Sequence, residues 1–538
     1  MAFPLLLSSL VAYAAADQTL AAADLQQTLA GDIAQSCDIH AEIRSVDIQK
    51  ALTEIYQRLG FEYLWQQPQR LHSLQAELVQ LTDDGLESED YSFALNAGSA
   101  GDSCSELRIS AEYLLALEHL SRGRLAQADY ESVWRASPLP TTSAPLLMDL
   151  AMTGLSVGIS TAFDQARPGL MQYRSLRATY AAMDKSPPER LPIPAGPLLR
   201  PGISDVRLEQ IRKQLLEDGF LSASQAEDVS PELYDGTLEQ AVRRFQSNQG
   251  LQADGIIGPQ TIRAMNITLK QRLQQVQINL ERLRWINAER SDYLLLINVA
   301  SGHLQLLRDN DLIWQARAQT GRASRPTPAL VSNINRITLN PGWTVPPTIL
   351  REDILPQIRR NPEYLESRGI QILDAQGNQL EPQQINWSNP RGIVLRQPPG
   401  PTNPLGQIVF RLPNPYSIYL HDTPSQQLFQ QTNRNVSSGC VRVEDADGLA
   451  EQLFAHLSES QRERIAGQLA SGQTHEVPLM NGPQVILAYW TAYADEDGRP
   501  AFFPDTYGLD PVLGAALADL ETAQPESIAG ITMQAEAE

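Results

Sequence analysis

The chain has 538 residues, with 42 Lys+Arg against 63 Asp+Glu and a formal net charge of −21 at pH 7, and its pI is near 4.8. That balance excludes non-specific binding to nucleic acid, which needs a basic surface. A hydrophobic content of 42% with 20% charged residues excludes wholesale disorder, and at roughly 100–200 residues per domain the length predicts a multidomain protein of about three or four units.

Residues 1–16 read as a signal peptide: Phe3 to Ala16 is a short apolar core that ends in small-residue cleavage sites. It lacks a basic leader, the first Lys or Arg being Arg44. Export is the expectation, and no later run of apolar residues is long enough to predict a membrane-spanning helix. Of the three cysteines, Cys37 and Cys104 lie in polar N-terminal segments and could pair in an oxidising compartment, which would leave Cys440 free. Sequence carries no geometry to decide that pairing.

Residues 25–200 read as a mainly helical scaffold, with apolar spacing near 3.6 residues in Leu52–Leu59 and Glu112–Leu120. His40, His72 and His119 lie far apart without ligand spacing, so core or surface placement is expected rather than a metal site. A Pro-rich break from Ser186 to Gly202 ends this region. Residues 203–267 then predict three short helices, Val206–Leu216, Leu238–Gln249 and Pro259–Asn266, in a module of marginal size for independent folding. Leu238, Val242 and Phe245 share one face of the second helix, and Asp254-Gly255 gives the turn before the third. The run AVRRFQ, then GL, DGIIG and T-x-x-x-M-N within Leu238–Asn266 resembles the peptidoglycan-binding module of cell-wall enzymes. Caps and turns account for most of its glycines, so glycan binding itself stays open.

A long polar helix over residues 268–288 leads into residues 289–515, where the period changes to two. Strands are predicted at Tyr293–Val299, His303–Leu307, Trp314–Thr320, Arg336–Asn340, Gly406–Arg411 and Ser417–His421. An insertion at 349–403, rich in Pro and Gly with one helical piece, has the length of a functional lid. The end of the chain, 516–538, reads as an acidic, disordered tail.

Strand alternation puts Ser417, Tyr419 and His421 on one face, opposite Tyr416, Ile418 and Leu420. Nineteen residues after His421 stands Cys440, within Ser437-Ser438-Gly439-Cys440-Val441-Arg442-Val443. A thiol attacks as its thiolate and needs an imidazole or a positive field beside it. His421 is the natural partner; His303 in the first hairpin, His456 late in a helix and His475 in a polar loop are less suited. No clustered His/Cys/Asp set has zinc spacing, so neither metal nor cofactor is expected.

Together these motifs resemble the L,D-transpeptidases, the cysteine enzymes that cross-link peptidoglycan. Ser438 stands where the family usually has histidine and Arg442 where it has asparagine. Both departures fit a larger branch marked by His421-Asp-Thr-Pro424, a downstream Arg434 and SSGCVRV, with NPGWTVPPTI (340–349) and RQPPGPTNPLG (396–406) also matching. The resemblance implies an N-terminal scaffold, a three-helix peptidoglycan-binding-like module and a C-terminal β-rich, β-sandwich-like catalytic domain with an inserted capping subdomain. It implies Cys440 as nucleophile and His421 as base. Backbone around Gly439 and Cys440, within the Ser438-Gly439 frame and aided by Tyr419, would form the oxyanion site. Tyr419 could equally be a packing residue, and for Trp343 packing is the favoured reading. Ser437, Arg434, Arg442 and Trp343 are the candidate substrate contacts, Arg442 with a structural role favoured and Arg434 open. Donor and acceptor tetrapeptide stems would be the partners, beside other cell-wall synthases, with carbapenem-type inhibitors acylating Cys440, in the periplasm of a Gram-negative-type envelope. Hydrolysis of the thioester, another acceptor such as a lipoprotein lysine, or a non-catalytic wall-binding role remain alternatives.

Overall fold

The computed structural model describes residues 20–31, 33, 37, 45–98, 101–138, 142–184, 190–226, 230–287, 291–494 and 500–522. The predicted signal peptide, His40 and the chain after Thr522 lie outside the described residues.

The scaffold is built on the helix Ser103–Arg122, which starts where the Asp102 side chain accepts from the Ser105 N–H and stops at Gly123. Helices Val46–Arg58, Pro68–Gln80, Ala144–Ser156 and Ile159–Ala166 share its core, with Tyr56, Trp65 and Phe163 fully buried. Glu106 is tolerated at its centre because the Leu64 and Trp65 N–H groups and the Tyr56 hydroxyl all donate to its carboxylate. Cys37 and Cys104 form a disulfide, leaving Cys440 as the free thiol.

The small module contains helices Arg207–Glu217, Gly236–Asn248 and Pro259–Met265 around Leu208, Tyr234, Leu238, Val242 and Phe245. Helix Leu269–Trp285 comes next, started by a capping box at Thr268 and Gln271. Its polar sequence suggests an exposed connector, yet Asn279, Glu281, Arg282 and Arg284 are all buried. The reason is that each charge has a partner: Arg282 bridges Glu131 and Asp510, both at 2.6 Å, and Arg284 pairs with Glu281 of the same helix at 2.9 Å, while the Tyr173 hydroxyl lies 3.2 Å from Arg284 and the Leu125 N–H donates to Glu281 at 2.7 Å. The helix thus lies between scaffold and catalytic region. The predicted disordered tail also starts as ordered helix, since Asp510–Thr522 packs Leu513 and Leu517 against Ile278 and Trp285.

The strands in chain order are β1 (Val133–Arg135), β2 (Tyr293–Asn298), β3 (His303–Arg308), β4 (Asp311–Gly321), β5 (Ala329–Asn333), β6 (Arg336–Leu339), β7 (Trp343–Thr344), β8 (Gln371–Asp374), β9 (Ile393–Gln397), β10 (Ile408–Arg411), β11 (Leu420–His421), β12 (Asn435–Ser437), β13 (Val441–Val443), β14 (His475–Pro478) and β15 (Gln484–Ala488). Twelve of them form one sheet in the order β1-β5-β15-β2-β3-β4-β13-β11-β10-β6-β14, with β12 beside β4. The continuous apolar run Leu294–Ile297 is explained by burial on both faces: Leu295 and Ile297 join the inner core with helix Ala446–Phe454, while Leu294 and Leu296 pack with Val276, Leu280 and the scaffold's Tyr173 and Leu176. Two of the histidines differ from expectation: His456 falls just past that helix, and His475 lies in β14 rather than in a loop.

Strand β1 comes from the scaffold and pairs in parallel with β5, so the scaffold supplies an edge of the large sheet. The insertion has its own three-stranded sheet, β7-β9-β8, and its own core of Val345, Ile354, Leu355, Ile358, Ile372 and Leu395. It is a small capping subdomain inserted between β6 and β10 of the large sheet.

Candidate active site

Three neighbouring strands carry the site. Phe410 of β10, Leu420 of β11 and Val441 and Val443 of β13 point into the inner core and are fully buried. Alternation therefore turns Val409, His421 and Arg442 to the opposite face, where the register sets Val409 against His421 and His421 against Arg442. One step further in the same registers come Arg411, Tyr419 and Cys440. The apolar residues that fix the core thus also fix which polar residues meet.

The loop before β13 is held by Ser437. Its buried hydroxyl donates to the Cys440 carbonyl at 2.6 Å and accepts from the Gly439 N–H at 3.1 Å. Gly439 has φ +116°, which disfavours any side chain, and an added Cβ would stand 3.3 Å from Ile418. The Gly439 carbonyl is fixed in turn by the Thr327 hydroxyl at 2.8 Å. Because the Gly439 N–H is already engaged, the expected oxyanion donors are reduced to the Cys440 N–H, which has no partner among the described residues, and the Tyr419 hydroxyl.

The half-buried Cys440 thiol donates to the Ser417 carbonyl at 3.7 Å, and no direct hydrogen bond joins it to His421 among the described residues. Ser417 has φ +57° and ends the expected strand alternation, so β11 is only two residues long. Asn414 sets up this bend: its side chain accepts from the Tyr416 and Ile418 N–H groups and donates to the Leu412 and Ile418 carbonyls. His421 is buried, with Nδ1 2.5 Å from the Asp422 carbonyl. A carbonyl only accepts, so Nδ1 carries the proton and Nε2 is the basic nitrogen.

Burial, followed by the charge of Arg442, pushes the His421 imidazole down to about 3. Burial likewise pushes the Cys440 thiol up, opposed by hydrogen bonds from Tyr419 and by the charges of Arg442 and Arg411. The resting pair is a neutral thiol and a neutral imidazole. Tyr419 stands beside both, its ring 5.7 Å from that of His421, and burial and the neighbouring sulfur push its phenol up.

The other expected contacts divide differently. Arg434 does not turn a free fork toward substrate: it donates to the Ser301 carbonyl at 2.6 Å, to Gly302 at 3.2 Å and to Gln431 at 3.3 Å, holding the turn between β2 and β3. Ser437 spends its hydroxyl on bracing the loop. Arg442 donates to Gln319 at 2.9 Å, with its Nε buried. Trp343 lies in β7 opposite Gln397 and packs on the core of the cap.

Sequence reasoning missed Arg325, Arg411, Thr327 and Asn414. Arg325 donates to Ser438 at 2.9 Å and pairs with Glu352 and Asp353 of the cap, each at 2.5 Å. Nothing local in the sequence marks these residues, since each acts through a partner that the chain pattern does not reveal. Only the adjacent acids Glu352 and Asp353 at the start of the insertion could have pointed to a cationic partner such as Arg325. No group of three His, Cys, Asp or Glu fit to hold a metal occurs among the described residues.

Comparison with known proteins agrees with this arrangement. Residues 292–461 match the L,D-transpeptidase catalytic domain family, 50–179 a scaffold domain, and 204–265 a family described as "Putative peptidoglycan binding domain". A "Putative L,D-transpeptidase" of Haemophilus influenzae is 37% identical over 255 residues, 46% of this chain and 50% of that protein, so the match spans about half of the curated relative. The N-acetylmuramoyl-L-alanine amidase CwlM of Mycobacterium tuberculosis is 39% identical over 75 residues, 13% of this chain and 18% of that protein. Among solved structures, an L,D-transpeptidase from Mycobacterium smegmatis has 14% identity and a TM-score of 0.18 over 37% of this chain and 58% of that one. One from Xylanimonas cellulosilytica has 15% identity and a TM-score of 0.18 over 55% and 99%. Likenesses this weak carry no argument about the site.

Proposed function

From a chain that carries an L,D-transpeptidase catalytic domain beside a scaffold domain and a peptidoglycan-binding-type module, we propose that the protein is a cysteine L,D-transpeptidase that forms 3-3 cross-links in peptidoglycan. The observation that carries the reading is the parallel pairing of β11 with β13, which brings Tyr419 and His421 beside Cys440 and Arg442 in a braced loop.

The chemistry is set by those positions. His421 Nε2 takes the thiol proton as Cys440 Sγ attacks the diaminopimelate carbonyl of a tetrapeptide stem. The oxyanion is met by the Cys440 N–H and the Tyr419 hydroxyl. As the C–N bond breaks, the imidazolium returns its proton to the nitrogen of D-Ala, which leaves, and a thioester remains. The side-chain amine of a second diaminopimelate then attacks, passes a proton to His421, and expels the thiolate to give the cross-link. Arg442 and Arg411 favour the anionic sulfur along this path. The latch of Arg325 to Glu352 and Asp353 keeps the cap near the thioester, which favours amine transfer over hydrolysis. The periplasm, where the substrate lies, is the compartment this reading requires.

Intact-mass measurement of the purified protein with a carbapenem tests the nucleophile: an adduct is expected on wild type and none on Cys440→Ala. Muropeptide analysis of sacculi from expressing cells tests the product, with 3-3 dimers expected. Trimmed tripeptides alone would mean that water is the acceptor, and an absence of both products would leave only wall binding.

A further inference from the structure

A substrate whose stem carries carboxylates needs positive charge near the thiol, on a protein with net charge −21. The two arginines flanking Cys440 in sequence are held away from a ligand, Arg434 by three carbonyls and Arg442 by giving one terminal nitrogen to Gln319 with its Nε buried. Arg411 is different. At the end of β10 it lies on the same outward face as Tyr419, because Phe410 before it points into the core. Its guanidinium sits 5.1 Å from the centre of the Tyr419 ring, and its Nε donates to Thr338 at 3.1 Å. Stacking and that one bond fix the plane of the fork. Its two terminal nitrogens have no hydrogen-bond or ion-pair partner among the described residues. The nearby acid Glu476 is taken by Arg336 at 3.0 Å and by the Thr338 hydroxyl at 3.0 Å and 3.1 Å. Arg411 is thus a half-buried, oriented cation without a counter-ion among the described residues.

Its place in the row of residues that includes the thiol also points to a particular carboxylate. Cys440, Tyr419 and Arg411 lie in a row across three adjacent strands, and strand spacing near ~4.8 Å puts the outer two about 10 Å apart at Cα. Arg411 lies over the tyrosine and narrows that gap at the side-chain tips. A carboxylate one residue beyond the attacked carbonyl is about 3.8 Å further along the chain. We propose that Arg411 forms a carboxylate subsite that grips the C-terminal carboxylate of the residue released when Cys440 is acylated. The enzyme thereby selects stems that end one residue past the scissile carbonyl. This rests on the transpeptidase reading, and it adds a specificity determinant to it.

The test compares two donors on the full chain, a free tetrapeptide stem ending in D-Ala and the same stem with its terminal carboxylate converted to carboxamide. Wild type is expected to favour the free acid in kcat/KM by about ten- to hundredfold, the loss typical of removing a charged hydrogen-bond partner. Arg411→Gln is expected to slow both donors, because it removes a charge that favours the anionic sulfur, but to slow the free acid more and so bring the ratio to about one, and Arg411→Lys, a charge without a fork, to fall between. The ratio is independent of how much of each variant is folded. A wild-type ratio near one, or an Arg411→Gln ratio equal to that of wild type, would overturn the subsite while leaving the transpeptidase reading intact. Failure of wild type to act on either donor would remove both.

Discussion

Arg325 reaches Asp353 at 2.5 Å with the same terminal nitrogen that lies 2.9 Å from the Ser438 hydroxyl. One side chain therefore joins the cap to the residue two places before Cys440 and ties it to the cysteine loop.

Neutralising the cap's side of this contact should change product more than stability. The Arg325 and Asp353 side chains are 12% and 37% exposed, and pairs so open to water contribute up to about 1 kcal/mol. For Asp353→Asn we expect a small fall in melting temperature but a clear rise in hydrolysed tripeptide relative to 3-3 dimer. Muropeptide chromatography of the variant reads that ratio, and an unchanged ratio would show that the latch plays no part in excluding water. A double-mutant cycle with Arg325→Met separates the pair from its Ser438 contact.

Ser437→Ala should damage the site without touching substrate. The change removes the hydroxyl shared by the Gly439 N–H and the Cys440 carbonyl, and a buried polar group left unpaired costs about 1–3 kcal/mol. We expect slower carbapenem acylation, because the Gly439 N–H is then free to turn and Cys440 loses its fixed carbonyl. Stopped-flow fluorescence measures the rate, and a wild-type rate would mean that the loop is held by Thr327 alone.

Much of this site was legible in the sequence because its information is local. The Ser-Ser-Gly-Cys run and the alternation ending at His421 pointed to Cys440, to His421 and to the Tyr419 face, which the register brings together. The helices at 46–58, 103–122, 236–248 and 269–285 reflect periodicity and caps. What could not be read depends on pairing over long separations. The scaffold strand at Trp134 joins a sheet almost two hundred residues away, and the short strands at 329–333 and 484–488, although preceded by Pro328 and by Asn481-Gly482-Pro483, owe their place to partners far along the chain. The role of Arg434 stayed open since nothing near it in sequence reveals the carbonyls of Ser301 and Gly302. The bend at Ser417 was hidden for a similar reason: it is imposed by the Asn414 side chain and overrides the strand pattern.

The acid limb of the pH profile should be displaced. With the His421 imidazole pushed down to about 3 and the Cys440 thiol pushed up, acylation should climb with pH through neutrality and show no inflection near the ordinary histidine value of about 6.5. Arg442 disfavours the imidazolium and favours the thiolate, so Arg442→Gln should raise both values. Acylation at pH 7 then falls while the acid limb moves up toward neutrality. For stability the sign is that of a histidine held neutral. Its contribution is full above about 6.5, where the unfolded imidazole is also neutral, and is lost as pH falls from there toward 3. Rates of carbapenem acylation from pH 3 to 10 check the kinetic part, and a wild-type inflection at 6 to 7 would contradict the buried, neutral base.

The scaffold and the catalytic sheet should unfold as one unit. Leu176 of the scaffold is fully buried in a cluster with Leu294, Leu296 and Trp490 of the catalytic region and with Leu280 and Leu283 of the connecting helix. The same boundary carries the β1–β5 pairing and the buried Arg282 bridge to Glu131 and Asp510. Truncating such a leucine typically costs about 2–5 kcal/mol. If the two regions were independent, Leu176→Ala would lower a scaffold transition and leave the catalytic one in place. The shared core instead demands that calorimetry show one transition for both, displaced downward, and that Cys440 acylation be lost over the same temperature range. Retention of acylation above the scaffold's melting point would show that the sheet stands without its borrowed strand.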